Sequence, residues 1–223
     1  MGRKSTKSKI LDAAEKLFAE KGYEGTSIRA ICSAARANVA AVHYHFGGKE
    51  CVAEAIMERR MEVLSVRRKK LLDDLFSKND TPTVRSLIGT LVLPLAELID
   101  SKGNSGLAYV KMLAHLFNER PDLIWTVFMK YNSDNRTRQA EGIVRALPHI
   151  SVEVLDRRQT LATAAALHWL ANPIYFTMEG PDVIQRPGGT EIVSELIDFL
   201  AGGLSAPLTK VASNSVENKN SSE

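Results

Sequence analysis

The sequence predicts an all-α protein, and three observations support that fold class. Apolar residues recur at helical spacing along most of the chain, Pro and Gly residues fall between those stretches, and no run alternates apolar and polar residues as a half-buried strand does. The 223 residues are 44% hydrophobic but only 6% aromatic, which favours helices over a β-sandwich. This composition supports a buried core and excludes a collagen, a disordered chain and a disulfide scaffold.

Charge is distributed unevenly along the chain. Residues 1–70 contain 15 Lys and Arg against 8 Asp and Glu, whereas residues 71–223 contain 14 against 18. A basic N-terminal third joined to a mildly acidic remainder is typical of a module that binds nucleic acid or another anionic surface, attached to a second domain.

The basic third is predicted to contain three helices. An apolar stripe over residues 10–18 predicts the first helix, which ends at Gly22 in the C′ position. Thr26 is the predicted N-cap of a second helix over residues 27–34. The residues predicted to face inward from this second helix are Ile28, Ile31, Cys32 and Ala35.

After a break at residues 35–37, Asn38 is the predicted N-cap of a third, short helix. Val39 and Val42 are predicted to point inward from it. The positions predicted to point outward are Ala40, Ala41 and His43. Two short helices joined by a tight turn and preceded by a longer helix have the arrangement of a helix-turn-helix that reads DNA.

The rest of the chain is also predicted to be helical. A long amphipathic helix is expected over residues 49–75, and its basic run at residues 67–70 is expected to be a solvated face. Its predicted apolar positions are Val52, Ile56, Val63, Leu64 and Leu71. Further helices are predicted over residues 84–100, bent at Pro94, and over 106–118, 122–147, 152–171 and 190–200.

These elements predict a division of the chain into three parts. Residues 1–48 form the N-terminal domain with a basic arm, residues 49–204 form a larger helical domain, and residues 205–223 form a disordered tail rich in Ser, Asn and Lys.

Neither a membrane span nor a bound metal is expected. Residues 159–178 carry no formal charge, but their polar groups favour a buried helix that ends before Pro173. His43 and His45 do not share a helix face, and the spacing of Cys32 and Cys51 matches no zinc finger, so no cofactor is predicted. Free thiols and the lack of a secretory signal near Met1 predict a cytoplasmic protein.

The residues of the basic third resemble the TetR family of bacterial transcriptional regulators. The resemblance rests on LFAEKGYEGTSIRAI at residues 17–31 and VAAVHYHFGGKE at residues 39–50, and it extends over about residues 8–56. It implies a homodimer in which each subunit carries a three-helix DNA-binding domain and a larger domain for dimerisation and effector binding. The expected function is that of a ligand-responsive repressor that binds a palindromic operator.

The candidate DNA contacts combine this resemblance with the chemistry of the residues. Free amides at the start of the second helix suit a phosphate, and the start of the third helix is expected to enter the major groove. Arg36 departs from the family pattern, which usually has Gly at this turn position. The candidates are Arg3, Lys4, Thr26, Ser27, Arg29, Arg36, Asn38, Ala40, Ala41, His43, Tyr44, His45 and Lys49.

The C-terminal domain carries weaker signals. Aromatic and sulfur-bearing side chains cluster there and are candidates for an apolar effector pocket, with His168 as its polar group. The candidates are Met112, Trp125, Met129, His168, Trp169 and Phe176. By resemblance, residues 152–171 and 190–200 form the intersubunit helix bundle, and an Ala-rich face at Ala162, Ala165 and Ala166 permits close helix approach.

An alternative remains open at this point: a non-regulatory helical protein whose basic face binds a membrane surface or an acidic partner. An N-terminal Gly2 pattern that loosely matches a myristoylation signal supports it. An enzyme is not expected, because the sequence contains no Gly-x-Ser-x-Gly, phosphate-binding Gly-rich loop, His-Glu-x-x-His or Cys-x-x-Cys.

Overall fold

A computed structural model describes residues 5–77, 81–172, 174–184 and 188–208. The predicted arm residues Arg3 and Lys4 and the tail from residue 209 lie outside the described residues. Within the described ranges the chain forms helices and one short hairpin. The elements are α1 (Thr6–Lys21), α2 (Ile28–Ala35), α3 (Val39–Phe46), α4 (Lys49–Phe76), α5 (Val84–Lys102), α6 (Asn104–Glu119), α7 (Pro121–Ala146), α8 (Val152–Ala171), β1 (Ile174–Thr177), β2 (Gly180–Val183) and α9 (Thr190–Ser205).

Helix α1 has the predicted end. Ser5 caps its start by accepting a hydrogen bond from the backbone N–H of Ser8 at 3.2 Å. Gly22 ends it with φ of 74°, a conformation that favours glycine. A Cβ at Gly22 would clash with the Glu119 carboxylate, so a larger residue would also force that side chain to move.

The N-cap of α2 is Ser27, and the prediction of Thr26 is wrong by one residue. The Ser27 hydroxyl accepts a hydrogen bond from the backbone N–H of Ala30 at 3.1 Å. Thr26 is instead buried, and its hydroxyl donates to the carbonyl oxygen of Gly22 at 2.7 Å. Both residue types favour helix starts, and the burial of Thr26 against the α1 end decides between them.

Helix α3 has the predicted N-cap, Asn38, but two of its facing predictions are wrong. Val42 is buried as predicted, whereas Val39 is 41% exposed and Ala41 packs half-buried against the core. Asn38, Val39 and Ala40 are all exposed, so the first turn of α3 extends beyond the helices that support it.

The buried face of α4 also differs from its prediction. Val52, Ile56 and Leu64 are buried, but Val63 is exposed, and Leu72 rather than Leu71 lies in the core. Arg68 is buried, which contradicts the prediction that residues 67–70 form a solvated face. The reason is that α7 packs along α4 and covers the side on which Arg68 lies.

Residues 174–183 form an antiparallel hairpin, where no strand was predicted. Ile174 pairs with Val183, and Thr177 pairs with Gly180 across the turn. Each strand has only four residues, and both Ile174 and Val183 are exposed. A strand this short without a buried face leaves no alternating pattern in the sequence.

One hydrophobic core extends from α1 through α9. Helix α1 packs on α6, α4 on α7, α6 on α8 and α5 on α9. Ala162 and Ala166 of the predicted Ala-rich face are buried inside the subunit, where α8 packs on α6 and α9. The division at residue 48 stays a prediction. None of the helices within the described ranges combines the length and the hydrophobicity of a membrane-spanning segment.

Candidate DNA-binding surface and ligand cavity

Helices α2 and α3 present a row of exposed polar side chains. Ser27, Arg29, Arg36, Asn38 and His43 to His45 are exposed together with Ala40, and we name this set the α2–α3 surface. Tyr44 is 86% exposed. A tyrosine left this far in water is not explained by packing, because aromatic side chains usually bury most of their area.

Two side chains on this surface are oriented by backbone contacts. Asn38 Oδ1 accepts from the backbone N–H of Ala41 at 2.7 Å, which leaves the Asn38 amide nitrogen as a donor. His43 Nδ1 lies 3.0 Å from the carbonyl oxygen of Gly47. Since a carbonyl only accepts, this nitrogen carries the proton in the neutral ring and Nε2 is an acceptor.

Lys49 is half-buried at the start of α4. Its ammonium group donates to the carbonyl oxygen of Tyr23 at 3.0 Å and lies 4.0 Å from the centre of the Tyr23 ring. An ammonium has three N–H donors, so this contact orients Lys49 and leaves further donors for an anion.

Arg36 occupies the turn between α2 and α3 with φ of 52° and ψ of 46°, in the left-handed region. Its backbone N–H closes the end of α2 on the carbonyl oxygen of Ser33 at 3.2 Å. Glycine adopts this conformation without steric cost, whereas a residue with a Cβ does not.

We therefore expect Arg36→Gly to raise the free energy of unfolding by about 1 kcal/mol. Urea denaturation followed by circular dichroism measures this change. Arg29→Gly is the matched control, because Arg29 is an exposed arginine within α2, where glycine is expected to destabilise by about 1 kcal/mol. Equal or lower stability of Arg36→Gly would show that the left-handed turn carries no strain.

The α1–α2 turn is joined to the end of α6 and the start of α7. Glu119 accepts a hydrogen bond from the backbone N–H of Glu24 at 2.8 Å. Arg120 donates to the Tyr23 hydroxyl at 3.2 Å and to Glu50 at 3.0 Å. Burial raises the pKa of the Tyr23 hydroxyl, so Tyr23 stays neutral and accepts from Arg120 at neutral pH. We name Glu119 and Arg120 with these partners the α6–α7 junction.

A second connection joins α1 to α4. Glu15 is 3% exposed, and its carboxylate forms ion pairs with Arg59 and with Arg60, the latter at 2.9 Å. Arg59 also pairs with Asp12 at 2.7 Å. These contacts hold the first helix of the three-helix unit against the long helix that leaves it.

Helices α4 to α8 enclose a cavity of about 620 Å³, within the range of small-molecule sites. Most of its lining is apolar: Met61, Leu64, Leu91, Pro94, Leu95, Leu113, Phe117, Pro121, Ile124, Trp125, Phe128, Ala166 and Leu167. Its polar lining residues are Arg68, Asn132, Arg136, Gln139, Asp156, Gln159, Thr160 and Thr163.

Of the six predicted pocket residues, Trp125 lines this cavity and four others do not. Met112 is fully buried in the core, and Met129 and Trp169 are half-buried elsewhere. His168 is exposed in a separate polar groove, where it contacts Asn172 at 3.3 Å. Phe176 lies in β1, and its side chain is outside the described part of the structure.

Sequence reasoning missed the polar residues of the cavity, of which Arg68 is the most buried cation. A signal was present, because Met61, Leu64, Arg68 and Leu72 follow the spacing of one helix face.

Among the described residues no His, Cys, Asp and Glu side chains cluster in a metal-binding arrangement. Cys32 is buried, and Cys51 is exposed.

The helix-turn-helix with its exposed α3 and the separate apolar cavity define a class of ligand-responsive DNA-binding regulator. Comparison with known proteins agrees. The family model described as bacterial regulatory proteins, tetR family, matches residues 10–56, and the model described as tetracyclin repressor-like, C-terminal domain, matches residues 90–203. The chain belongs to the TetR family of transcriptional regulators, which are DNA-binding proteins rather than enzymes.

One relative and one solved structure are similar along most of the chain, and a second relative is similar along less than half of it. The HTH-type transcriptional repressor KstR2 of Rhodococcus jostii is 24% identical over 216 residues, which are 92% of this chain and 94% of that protein. The probable HTH-type transcriptional regulator YttP of Bacillus subtilis is 35% identical over 91 residues, 41% of this chain and 42% of that protein. A crystal structure of a HlyIIR mutant has a TM-score of 0.58 at 17% identity and covers 93% of this chain and 99% of that one, which shows a shared fold.

Family membership favours the DNA-binding regulator over the alternative, a non-regulatory helical protein whose basic face binds a membrane surface or an acidic partner.

Proposed function

We propose that the protein is a homodimeric repressor that acts in the cytoplasm, binds a pseudo-palindromic operator through the α2–α3 surface, and is released by a small molecule bound in the cavity. The observation that carries the proposal is the exposed first turn of α3. Asn38, Val39 and Ala40 are exposed at the start of a helix that packs on α1, α2 and α4, as they must be if its N-terminus is to enter the major groove.

The proposed contacts divide into those to phosphates and those to bases. Phosphate contacts are proposed for Ser27, Arg29, Arg36 and Lys49, which flank α3, and for the arm residues Arg3 and Lys4. Asn38 and Ala40 are proposed to face base edges and thymine methyl groups, with Ala41 beside them. His43, Tyr44 and His45 supply rings and donors next to the groove. Thr26 leaves the set, because its hydroxyl is engaged with Gly22.

Dimerisation is proposed to use the outer faces of α8 and α9. Leu161 on α8 is 69% exposed, and Phe199 on α9 is 75% exposed. Helices α8 and α9 pack on each other, so their outward apolar residues form a surface that a second copy can cover.

The proposed mechanism couples the cavity to the operator through two elements. Helix α4 begins at Lys49 and lines the cavity with Met61, Leu64 and Arg68. The α6–α7 junction lies between the cavity residues Phe117 and Pro121. A ligand that binds more tightly when either element is displaced favours a dimer in which the spacing of the two α3 helices is changed. The free energy of operator binding then becomes less favourable by the difference between the ligand's binding free energies for the two arrangements.

Selection of bound sequences from a random DNA pool at about 50 and about 200 mM salt tests the function. We expect a palindromic motif at both salt concentrations, because base contacts keep their preference when phosphate contacts weaken. Ala40→Glu is expected to lose the motif, since it places a carboxylate at the proposed DNA face. Ser101→Glu, an exposed position on α5, adds the same charge and is expected to retain it. No motif at either concentration from the unmodified protein would refute the proposal.

A further inference from the structure

Arg68 is a buried cation in the cavity wall. Its side chain lies between the buried residues Leu64 and Leu72 on α4, and the residue is 5% exposed. Its Nη2 donates a hydrogen bond to Gln139 Oε1. Its guanidinium also lies 5.5 Å from the centre of the Phe128 ring. The arginine is therefore oriented by an amide and an aromatic ring, both of which line the cavity.

The charge of Arg68 is not balanced within the part of the chain that the structure describes. No carboxylate there forms an ion pair with it, and Nε and Nη1, which carry three of its five N–H groups, have no hydrogen-bond acceptor there. Burial lowers the pKa of Arg68 to about 10, and the nearby charge of Arg136 adds to this effect. The group is still cationic at neutral pH, so the folded chain carries an unpaired buried charge that costs stability.

The residues around Arg68 favour a bound anion as its missing partner, rather than further polar groups of the protein. Arg136 also lines the cavity and lies 5.2 Å from the centre of the Trp125 ring. Among the described residues that line the cavity, Asp156 is the one with a carboxylate, and it is exposed to solvent. Apart from these charges the lining is largely apolar, so the cavity combines an apolar volume with net positive charge.

We propose that the cavity binds an organic carboxylate with an apolar body, and that the Arg68 guanidinium is the partner of that carboxylate. A planar carboxylate matches the guanidinium in shape and supplies the missing counter-charge. The apolar body then fills the space lined by Leu64, Leu95, Leu113 and Phe128. This inference rests on the proposed function, since it specifies the ligand class of the same cavity.

The test compares carboxylates with neutral molecules of the same shape. Pyrenebutyrate and pyrenebutanol, and decanoate and decanol, are titrated into the full chain, and the Kd values are measured by fluorescence or calorimetry. We expect each carboxylate to bind at least tenfold more tightly than its alcohol. Arg68→Met, which keeps the length and removes the charge, is expected to abolish this preference and leave the Kd of the alcohols within threefold.

Controls separate this site from general charge effects. Arg67→Met removes the neighbouring arginine, which pairs with Glu97 at 2.7 Å on the surface, and is expected to retain the preference. Because Arg68→Met removes an unpaired buried charge, it is expected to denature at a higher urea concentration than the unmodified protein. If Arg68→Met is folded and has lost the preference for carboxylates, the loss is therefore due to the missing charge and not to unfolding.

The outcomes distinguish the two proposals. Equal binding of carboxylates and alcohols, or binding of neither, would overturn the assignment of Arg68 as an anion site. Tight carboxylate binding that depends on Arg68 but leaves operator affinity unchanged would support the site and overturn the effector role of the cavity.

Discussion

Replacing Glu15 with alanine is expected to lower the free energy of unfolding by about 3–5 kcal/mol. The carboxylate is buried between α1 and α4 and pairs with both Arg59 and Arg60. Its removal leaves Arg60, whose side chain is only 14% exposed, without its carboxylate partner. The cost of an uncompensated buried charge exceeds the value of the lost hydrogen bonds, which is why the effect is large.

Urea denaturation of the variant and of two controls measures this prediction. Glu20→Ala removes an exposed carboxylate from the same helix, and its effect is expected to stay within about 0.5 kcal/mol. Glu15→Gln keeps an acceptor for one arginine and is expected to lie between the two. A loss below about 1 kcal/mol for Glu15→Ala would show that the ion pairs contribute little and that apolar packing alone joins α1 to α4.

Replacing Arg120 with alanine is expected to weaken the response of DNA binding to the ligand. Arg120 joins Tyr23 of the three-helix unit and Glu50 of α4 to Asp122 at the start of α7. Its hydrogen bonds to Asp122 and Glu50 raise its pKa, so it is cationic at all accessible pH values. Since ligand-induced changes in operator affinity are typically about 5- to 150-fold, we expect this factor to fall towards one.

The measurement is the operator Kd with and without a ligand that releases the unmodified protein. Lys130→Ala is the matched control, because Lys130 forms an exposed ion pair on α7 with Glu58 of α4 but makes no contact with Tyr23 or Glu50 among those described. It is expected to keep the full response. A full response in Arg120→Ala would mean that α4 alone transmits the ligand signal to the DNA-binding surface.

The helices and the caps of the N-terminal third were predictable from local patterns. Gly22 ends α1 and Asn38 caps α3 as predicted, because both roles depend on the conformation and hydrogen bonds of a few neighbouring residues. The choice between Thr26 and Ser27 was not predictable in this way. It depends on the burial of Thr26 against Leu17 and Gly22, which the local sequence does not encode.

The cavity shows the limit of sequence reasoning more clearly. Trp125 was expected there from its residue type, but His168 faces a polar groove outside the cavity. Residue type predicts burial poorly for amphipathic side chains, because their position depends on which helices cross above them. The hairpin at residues 174–183 was missed for a related reason, since four-residue strands without a buried face have no periodic signal.

The sequence by itself determined the helical class, the end of α1, the start of α3 and the family, because these follow from caps, breakers and motifs within short segments. The tertiary structure alone decided that Arg68 is buried and Val63 exposed on the same helix. That difference arises because α7, which begins 45 residues after the end of α4, packs on one side of α4 and leaves the other in water. The same packing brings Gln139 and Phe128 into contact with Arg68. It thereby fixes the position of the cation in the cavity wall on which ligand recognition is proposed to depend.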